Sequence, residues 1–136
     1  MSEPFIVLVP AYEPEPVLLT LLAQLRAAGF EVILVDDGSG PAFSTLFQQA
    51  TAYATVLTHA ANAGKGAALK TGMAHIQSVW GLDRITVTVD ADGQHRVEDA
   101  LRLCREAQCH PEALILGSRE LQERVPMRSR LGNTVT

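Results

Sequence analysis

The stretch ITVTVDADGQH (residues 85–95) combines a strand-like run with two carboxylates at its end. Its β-branched residues fit a half-buried strand, and Gly93 marks a turn. Residues i and i+2 of an extended chain point to the same side, so Asp90 and Asp92 should converge while Ala91 faces away. Two such carboxylates repel each other unless a cation joins them. The pattern therefore indicates a divalent-cation site, although a turn or helix cap is the commoner role of an isolated Asp-x-Asp.

The composition and charge exclude several classes of protein. At 136 residues the chain has the length of one domain and can bury about two-thirds of its unfolded surface. It has 15 acidic and 11 basic side chains with no basic block, so nucleic acid is not an expected partner. Cys104 and Cys109 lack a metal-ligand spacing, and no apolar run reaches the ~18 residues of a membrane span. These features predict a reduced, cytoplasmic setting.

Five short apolar runs alternate with four helical patterns along the chain. The strand-like runs cover residues 5–9, 31–35, 55–59, 84–89 and 113–117, and the helical patterns cover residues 15–28, 41–53, 65–80 and 97–108. This alternating order with short links predicts a parallel sheet with right-handed crossovers and helices on both faces. The predicted fold class is therefore a Rossmann-like three-layer α/β/α domain with a mostly parallel sheet, which binds its ligands at the carboxyl ends of the strands.

Each predicted strand is followed by a polar segment, and the five segments should meet at one edge of the sheet. They read VPAYEPE (9–15), VDDGSG (35–40), HAANAGKG (59–66), DADGQH (90–95) and GSRE (117–120). Taken singly, each can be a strand-to-helix turn with its caps. Taken together, they indicate nucleotide recognition, in which the Asp37 carboxylate accepts hydrogen bonds from a base or a ribose. Tyr12 either packs at this edge or stacks on the base.

The same edge carries two candidates for holding phosphate. In NAGKGAA (62–68) a helix N-terminus offers free N–H groups and Lys65 adds positive charge, although a plain helix start explains the segment equally well. The segment is not a Walker A loop, because GxxxxGK[ST] does not match it. GxGxxG does not follow the first strand either, which disfavours hydride transfer. Mg²⁺ or Mn²⁺ on Asp90, Asp92 and Gln94 would share itself with substrate phosphates and stabilise a leaving diphosphate. Arg119 could assist those phosphates, but an exposed arginine is ordinarily solvated.

In this order, VPAYEPE, VDDGS, NAGKGAALKTG, VDADGQH and LGSRE resemble family 2 glycosyltransferases of the GT-A fold, particularly their polyprenyl-phosphate (dolichol-phosphate mannosyltransferase-like) branch. The resemblance covers nearly the whole chain. The residues that it implies for the nucleotide sugar are Pro10, Tyr12, Val35, Asp37, Asp90, Ala91, Asp92 and Arg119, with Glu13 or Glu15 as the acidic ribose contact. It places the metal on Asp90, Asp92 and Gln94, and it makes Asp92 and Arg119 the catalytic candidates.

The resemblance also implies a function. We expect a glycosyltransferase that moves a hexose from a nucleoside-diphosphate sugar to a polyprenyl phosphate or a glycan, in the synthesis of cell-envelope polysaccharide or glycolipid. A phosphate acceptor is already an anion and needs no general base, whereas a hydroxyl acceptor would need a carboxylate. The absence of a convincing base in the 136 residues fits either a phosphate acceptor or a missing segment. Two alternatives stay open. One is a non-catalytic nucleotide-sugar-binding module, and the other is a sugar-nucleotide pyrophosphorylase, which would carry a glycine-rich loop where this chain has PAYEPEP.

The last residues, VPMRSRLGNTVT (125–136), predict a helix that begins at about Pro126. Members of the family that the chain resembles continue past this point into acceptor-side elements. Either the acceptor half has been removed from a longer protein or the chain is a naturally short form, and the unfinished helix favours the first. We therefore expect residues 1–136 to form a single nucleotide-sugar-binding GT-A domain that is truncated on its acceptor side and binds donor without sustaining transfer. An apolar patch left on that side would favour a homo-oligomer, and the lipid acceptor would favour a peripheral position at the cytoplasmic face of the membrane.

Overall fold

The computed structural model describes residues 5–81, 84–92, 97–109, 113–115 and 124–126. Strands and helices alternate along the first four-fifths of the chain. In chain order they are β1 (Ile6–Ala11), α1 (Val17–Ala27), β2 (Glu31–Asp36), a 3₁₀ turn (Pro41–Phe43), α2 (Ser44–Ala50), β3 (Thr55–Thr58), α3 (Lys65–Trp80), β4 (Thr86–Thr88), α4 (Val97–Cys109), β5 (Ala113–Ile115) and β6 (Arg124–Pro126).

The first four strands form one parallel sheet in the order β3-β2-β1-β4. β1 pairs with β2 on one side, where Ile6 lies opposite Glu31, and with β4 on the other side, where Ile6 lies opposite Thr86. Because all four strands run in the same direction, their carboxyl ends meet at one edge. The predicted three-layer α/β fold with a mostly parallel sheet is confirmed.

Helices cover both faces of this sheet, because the side chains of a strand alternate between the faces. Val7 and Val9 are fully buried in a cluster that contains α1 leucines and α4 residues, whereas Ile6 and Leu8 are fully buried in a second cluster with α3. Burying an aliphatic side chain of this size stabilises a fold by about 1.5–3 kcal/mol. β1 is therefore the centre of the core, and its last residues are held firmly at the sheet edge.

The helix α3 lies unusually close to β1. A Cβ atom added at Gly72 would lie 2.2 Å from Cδ1 of Leu8, a side chain with no exposed surface. Only a residue without a side chain allows this approach, so Gly72 sets the distance between the helix and the strand. The start of α3, at Lys65, is thereby fixed beside the carboxyl end of β1.

The helix α4 packs on the opposite face from α3. Its Cys104 is buried, and burial raises the pKa of this thiol to about 12, so the thiol stays protonated and packs as a small apolar group. Within the part of the chain that the structure describes, no helix combines the length and the apolar character needed to cross a membrane.

The structure corrects two predictions for the C-terminal part. The fifth strand does not join the parallel sheet, since β5 pairs with β6 in a separate antiparallel ladder with Leu114 opposite Val125. Pro126, predicted to begin a helix, is instead the last residue of β6. The residue before a proline is biased toward extended backbone, which explains the strand at Val125. The remainder of the predicted helix lies outside the described residues.

Candidate functional site

Most of the predicted binding residues surround one cleft of about 480 Å³ at the carboxyl edge of the parallel sheet, called here the edge cleft. Those that line it are Pro10, Tyr12, Glu13, Glu15, Asp37, Lys65, Asp90, Ala91 and Asp92. Val35 differs, because its side chain is fully buried beside α3 and leaves only its main chain for any contact with a ligand. Gln94 and Arg119 lie outside the described residues.

Asp37 lies just after β2 and is almost completely buried. Its Oδ1 accepts hydrogen bonds from the backbone N–H of Ala63 (2.9 Å) and from the His59 ring (2.8 Å), and its Oδ2 accepts them from the N–H of Gly64 (2.8 Å) and the Asn62 amide (3.0 Å). Burial alone would raise the pKa of this carboxyl, but these hydrogen bonds outweigh burial and lower it.

These four bonds use the lone-pair positions that a carboxylate offers. Asp37 therefore holds the segment between β3 and α3 in place, and a base or ribose donor would have to share or replace one of the protein's own donors. That Asp37 binds the nucleoside stays a prediction. Its structural role was missed, because its partners follow it by more than twenty residues and leave no local pattern.

His59 extends this network to α3. Its Nδ1 lies 2.8 Å from Oδ1 of Asp37, and its Nε2 lies 2.7 Å from the Thr71 hydroxyl. The imidazole thus ties the end of β3 to both the β2 turn and the helix. Sequence analysis assigned no functional role to His59, and no spacing rule would have paired it with Thr71.

The turn after β2 packs directly on the segment after β3. Gly38 has a φ of +75°, and a Cβ atom there would lie 2.3 Å from the backbone of Ala61 and Asn62. The sequence indicated a turn at Gly38, but not this contact between two loops. The contact brings the backbone of residues 61–64 against Asp37, which explains how its carboxylate reaches so many donors.

The segment after β1 lines the edge cleft and is anchored by Ser39. Glu13 adopts a left-handed φ of 47°, and its N–H donates a 2.8 Å hydrogen bond to the Ser39 hydroxyl. Ser39 is itself held in place, because its backbone N–H donates a hydrogen bond to Oδ1 of Asp36. The neighbouring Tyr12 is half exposed, and the Glu13 carboxylate raises the pKa of its phenol. An aromatic ring at the mouth of the cleft remains available to stack on a flat ligand.

Asp90 and Asp92 lie at the opposite wall of the edge cleft. β4 ends at Thr88, and Ala91 and Asp92 form a turn, so the extended geometry predicted for this stretch is wrong. Ala91 lines the cleft together with the two aspartates and also packs against the core cluster that contains residues of α1 and α4. The Lys65 ammonium donates a 2.9 Å hydrogen bond to Oδ1 of Asp90.

The donor set is compatible with a divalent cation. Among the described residues no group of three or more His, Cys, Asp or Glu side chains could hold a metal ion. Mg²⁺, however, is commonly held by one or two carboxylates and completes its shell with water and substrate phosphates. Asp90 and Asp92 on one wall of a solvent-open cleft fit that mode of binding.

The charge of the edge cleft supports the same chemistry. Its described lining contains the carboxylates of Glu13, Glu15, Asp37, Asp90 and Asp92, and a single basic side chain, Lys65. A phosphate group entering this cleft alone would be repelled. A divalent cation bound there would offset the charges of Asp90 and Asp92 and attract phosphate oxygens, and the first turn of α3 would add backbone N–H groups.

Comparison with known proteins agrees with this architecture. The family described as Glycosyl transferase family 2 matches residues 6–133, which is nearly the whole chain. The chain therefore belongs to glycosyl transferase family 2, and the resemblance drawn from its five polar segments is confirmed. Which of its residues bind the donor is a separate matter, and the predicted site stays a prediction.

Three relatives are similar to this chain. An uncharacterized protein of Methanocaldococcus jannaschii is 30% identical over 93% of this chain and 53% of its own. The undecaprenyl-phosphate 4-deoxy-4-formamido-L-arabinose transferase of Pseudomonas fluorescens is 31% identical over 75% of this chain and 32% of its own length. A dolichyl-phosphate beta-glucosyltransferase of Trichomonas vaginalis is 27% identical over 90% of this chain and 43% of its own length. The chain thus spans between a third and about half of the length of these relatives.

Proposed function

We propose that this chain is the donor-binding part of a glycosyltransferase that moves a sugar from a nucleoside-diphosphate sugar to a polyprenyl phosphate. One observation carries the proposal. Asp90 and Asp92 share an acidic, solvent-open cleft with the start of α3, at the edge of the sheet where parallel α/β folds bind their ligands. The names of two relatives support the acceptor class, since they are an undecaprenyl-phosphate and a dolichyl-phosphate transferase.

The donor would lie across the edge cleft from the β1 side to the β4 side. Tyr12 would stack on the base, and Glu13 or Glu15 would accept hydrogen bonds from the ribose. The diphosphate would then lie between Asp92 and the N-terminal turn of α3. A volume of about 480 Å³ is within the range of pockets that hold a small-molecule ligand.

A divalent cation on Asp90 and Asp92 would supply positive charge to the diphosphate as it leaves the sugar. The chain's own residues do the positioning. Gly64 and Lys65, at the start of α3, line the cleft, and the Asp37 network holds the backbone of Gly64 there. Groups that are fixed before the reaction stabilise developing charge without reorganising, which is usually the largest contribution to catalysis.

The reaction would need no proton acceptor if the acceptor is a phosphate. A polyprenyl phosphate is ionised at neutral pH, and its oxygen attacks the anomeric carbon directly while the bond to the nucleoside diphosphate breaks. The acidic walls of the cleft would orient the acceptor through the cation rather than by direct contact. The proposed chemistry is therefore compatible with the residues of the edge cleft.

The test is a binding measurement with matched variants. Uridine and guanosine diphosphates and their sugars are titrated into the 136-residue chain, with and without Mn²⁺, by calorimetry and by thermal shift. We expect one nucleotide to bind only with Mn²⁺, and Asp92→Asn to weaken that binding at least tenfold. Glu98→Gln, which removes an exposed carboxylate from α4, is the control and should bind like the parent. Equal Mn²⁺-dependent affinity in Asp92→Asn would refute the proposed metal site.

A further inference from the structure

The ion pair between Lys65 and Asp90 occupies the position that the proposed metal would need. The Lys65 ammonium lies 2.9 Å from Oδ1 of Asp90, and the two side chains are 53% and 31% exposed. An ammonium and a divalent cation repel each other strongly when they share one carboxylate oxygen. Lys65 therefore has to leave Asp90 when a metal binds there.

The displaced ammonium has a second anion within the same cleft. The diphosphate of the proposed donor would lie between Asp92 and the start of α3, and Lys65 is the first residue of that helix. A hydrogen bond between an ammonium and a phosphate is stronger than one between neutral groups. The exchange of partners keeps the ammonium paired with an anion throughout.

The backbone around Lys65 allows this exchange to be a movement of the side chain alone. The N–H of the preceding Gly64 donates a 2.8 Å hydrogen bond to Asp37, and Ala68 bonds back to Gly64 within the first turn. The main chain is therefore held at its first turn. The four-carbon side chain of Lys65, half exposed to solvent, is free to reorient from a fixed Cα atom.

We propose that Lys65 is an internal counter-ion that gives up Asp90 to the divalent cation and moves to the donor diphosphate. The proposal rests on the proposed function, because it assumes that Asp90 and Asp92 hold a metal with a nucleoside diphosphate. Metal alone must displace the ammonium with nothing to receive it, so it binds weakly. Once the diphosphate receives Lys65, the metal binds more tightly, and by reciprocity the metal strengthens nucleotide binding.

The experiment separates the two halves of the exchange. Lys65→Met keeps most of the side chain and removes the charge, whereas Lys70→Met removes the same charge from an exposed position of α3 outside the cleft. Binding of Mn²⁺ alone is measured by electron paramagnetic resonance. Uridine and guanosine diphosphates are then titrated by calorimetry in saturating Mn²⁺.

We expect Lys65→Met to bind Mn²⁺ alone about three- to tenfold more tightly than the parent, because the competing ammonium is gone. The same variant should bind the nucleoside diphosphate with Mn²⁺ roughly tenfold more weakly, because the phosphate has lost its charged donor. Lys65→Arg should keep the parent's nucleotide affinity to within a few-fold, and Lys70→Met should match the parent in both measurements.

Two different results would overturn the proposal and can be told apart. If the parent binds a nucleoside diphosphate with Mn²⁺ but Lys65→Met binds Mn²⁺ alone no more tightly, the exchange is wrong and the proposed function stands. If neither the parent nor any variant binds a nucleoside diphosphate with Mn²⁺, both proposals are wrong. Circular dichroism on each variant confirms that the exposed substitutions leave the fold intact.

Discussion

Two aspartates at the same edge of the sheet have opposite surroundings. The Asp37 side chain is 4% exposed and its carboxylate accepts four hydrogen bonds from the protein, whereas the Asp90 side chain is 31% exposed and, among the described residues, is bonded by the Lys65 ammonium. Both were predicted from the same kind of pattern, an Asp after an apolar strand. The difference shows that Asp37, whose lone pairs accept hydrogen bonds from the protein, holds the surrounding loops together, whereas Asp90 is the carboxylate that our proposal assigns to a ligand.

The largest expected effect is on folding stability. Asp37→Ala removes a buried carboxylate and leaves the N–H groups of Ala63 and Gly64 without their acceptor, so we expect the free energy of unfolding to fall by about 3–5 kcal/mol. Asp90→Ala removes only an exposed ion pair and should cost about 1 kcal/mol or less. Urea denaturation of both variants measures the contrast. Similar losses of stability in the two variants would contradict the structural role given to Asp37 and not to Asp90.

A smaller effect is expected where the two loops meet behind Asp37. Gly38→Ala places a Cβ atom against the backbone of Ala61 and Asn62 at a φ of +75°, and should destabilise the fold by about 2–4 kcal/mol. Gly40→Ala is the matched control, because Gly40 also has a positive φ but has open space around it. It should cost about 1–2 kcal/mol. Urea denaturation measures the loss of stability in both variants. Equal losses would show that the contact between the two loops does not stabilise the fold.

The smallest effect is on the pH dependence of stability. The pKa of Asp37 is lowered in the native state, so its contribution to stability is complete above its ordinary value of 3.8 and is lost as the pH falls through the lower native pKa. The free energy of unfolding of the parent should therefore decline below pH 3.8, and Asp37→Asn should decline less steeply. Urea midpoints between about pH 6 and pH 3 test the slope. Parallel profiles would contradict a lowered pKa at Asp37.

The fold was predictable because its signals are local. Apolar runs, helical periodicity and the alternating order indicated a parallel sheet, and α3 begins at Lys65 and ends at Trp80 as expected. The helix predicted over residues 41–53 is instead a 3₁₀ turn followed by the short α2, since the backbone of Phe43, with φ −106° and ψ 5°, is not helical. Element boundaries depend on such details of the backbone, which hydrophobic periodicity does not contain.

The candidate site was predictable in position but not in detail. Residues that follow strands collect at one edge of a parallel sheet, which identified Tyr12, Asp37 and Asp90 together. The bond between Glu13 and Ser39 and the network around His59 join residues that are distant in sequence, so no spacing rule reveals them. The convergence expected of Asp90 and Asp92 assumed an extended chain, whereas the strand ends at Thr88.

The pairing of β1 with β4 has a consequence for how the molecule is made. Ile6 and Val7 pair early in the chain with β2, but their second neighbours, Thr86 and Val87, come from far along the chain. The strands β1, β2 and β3 can therefore pair with one another during synthesis before β4, the second neighbour of β1, has been made. Such distant pairing slows folding, because a long loop must close before the contacts form. Pairing of β4 with β1 therefore places Val87 in the core and Asp90 at the edge cleft in the same step.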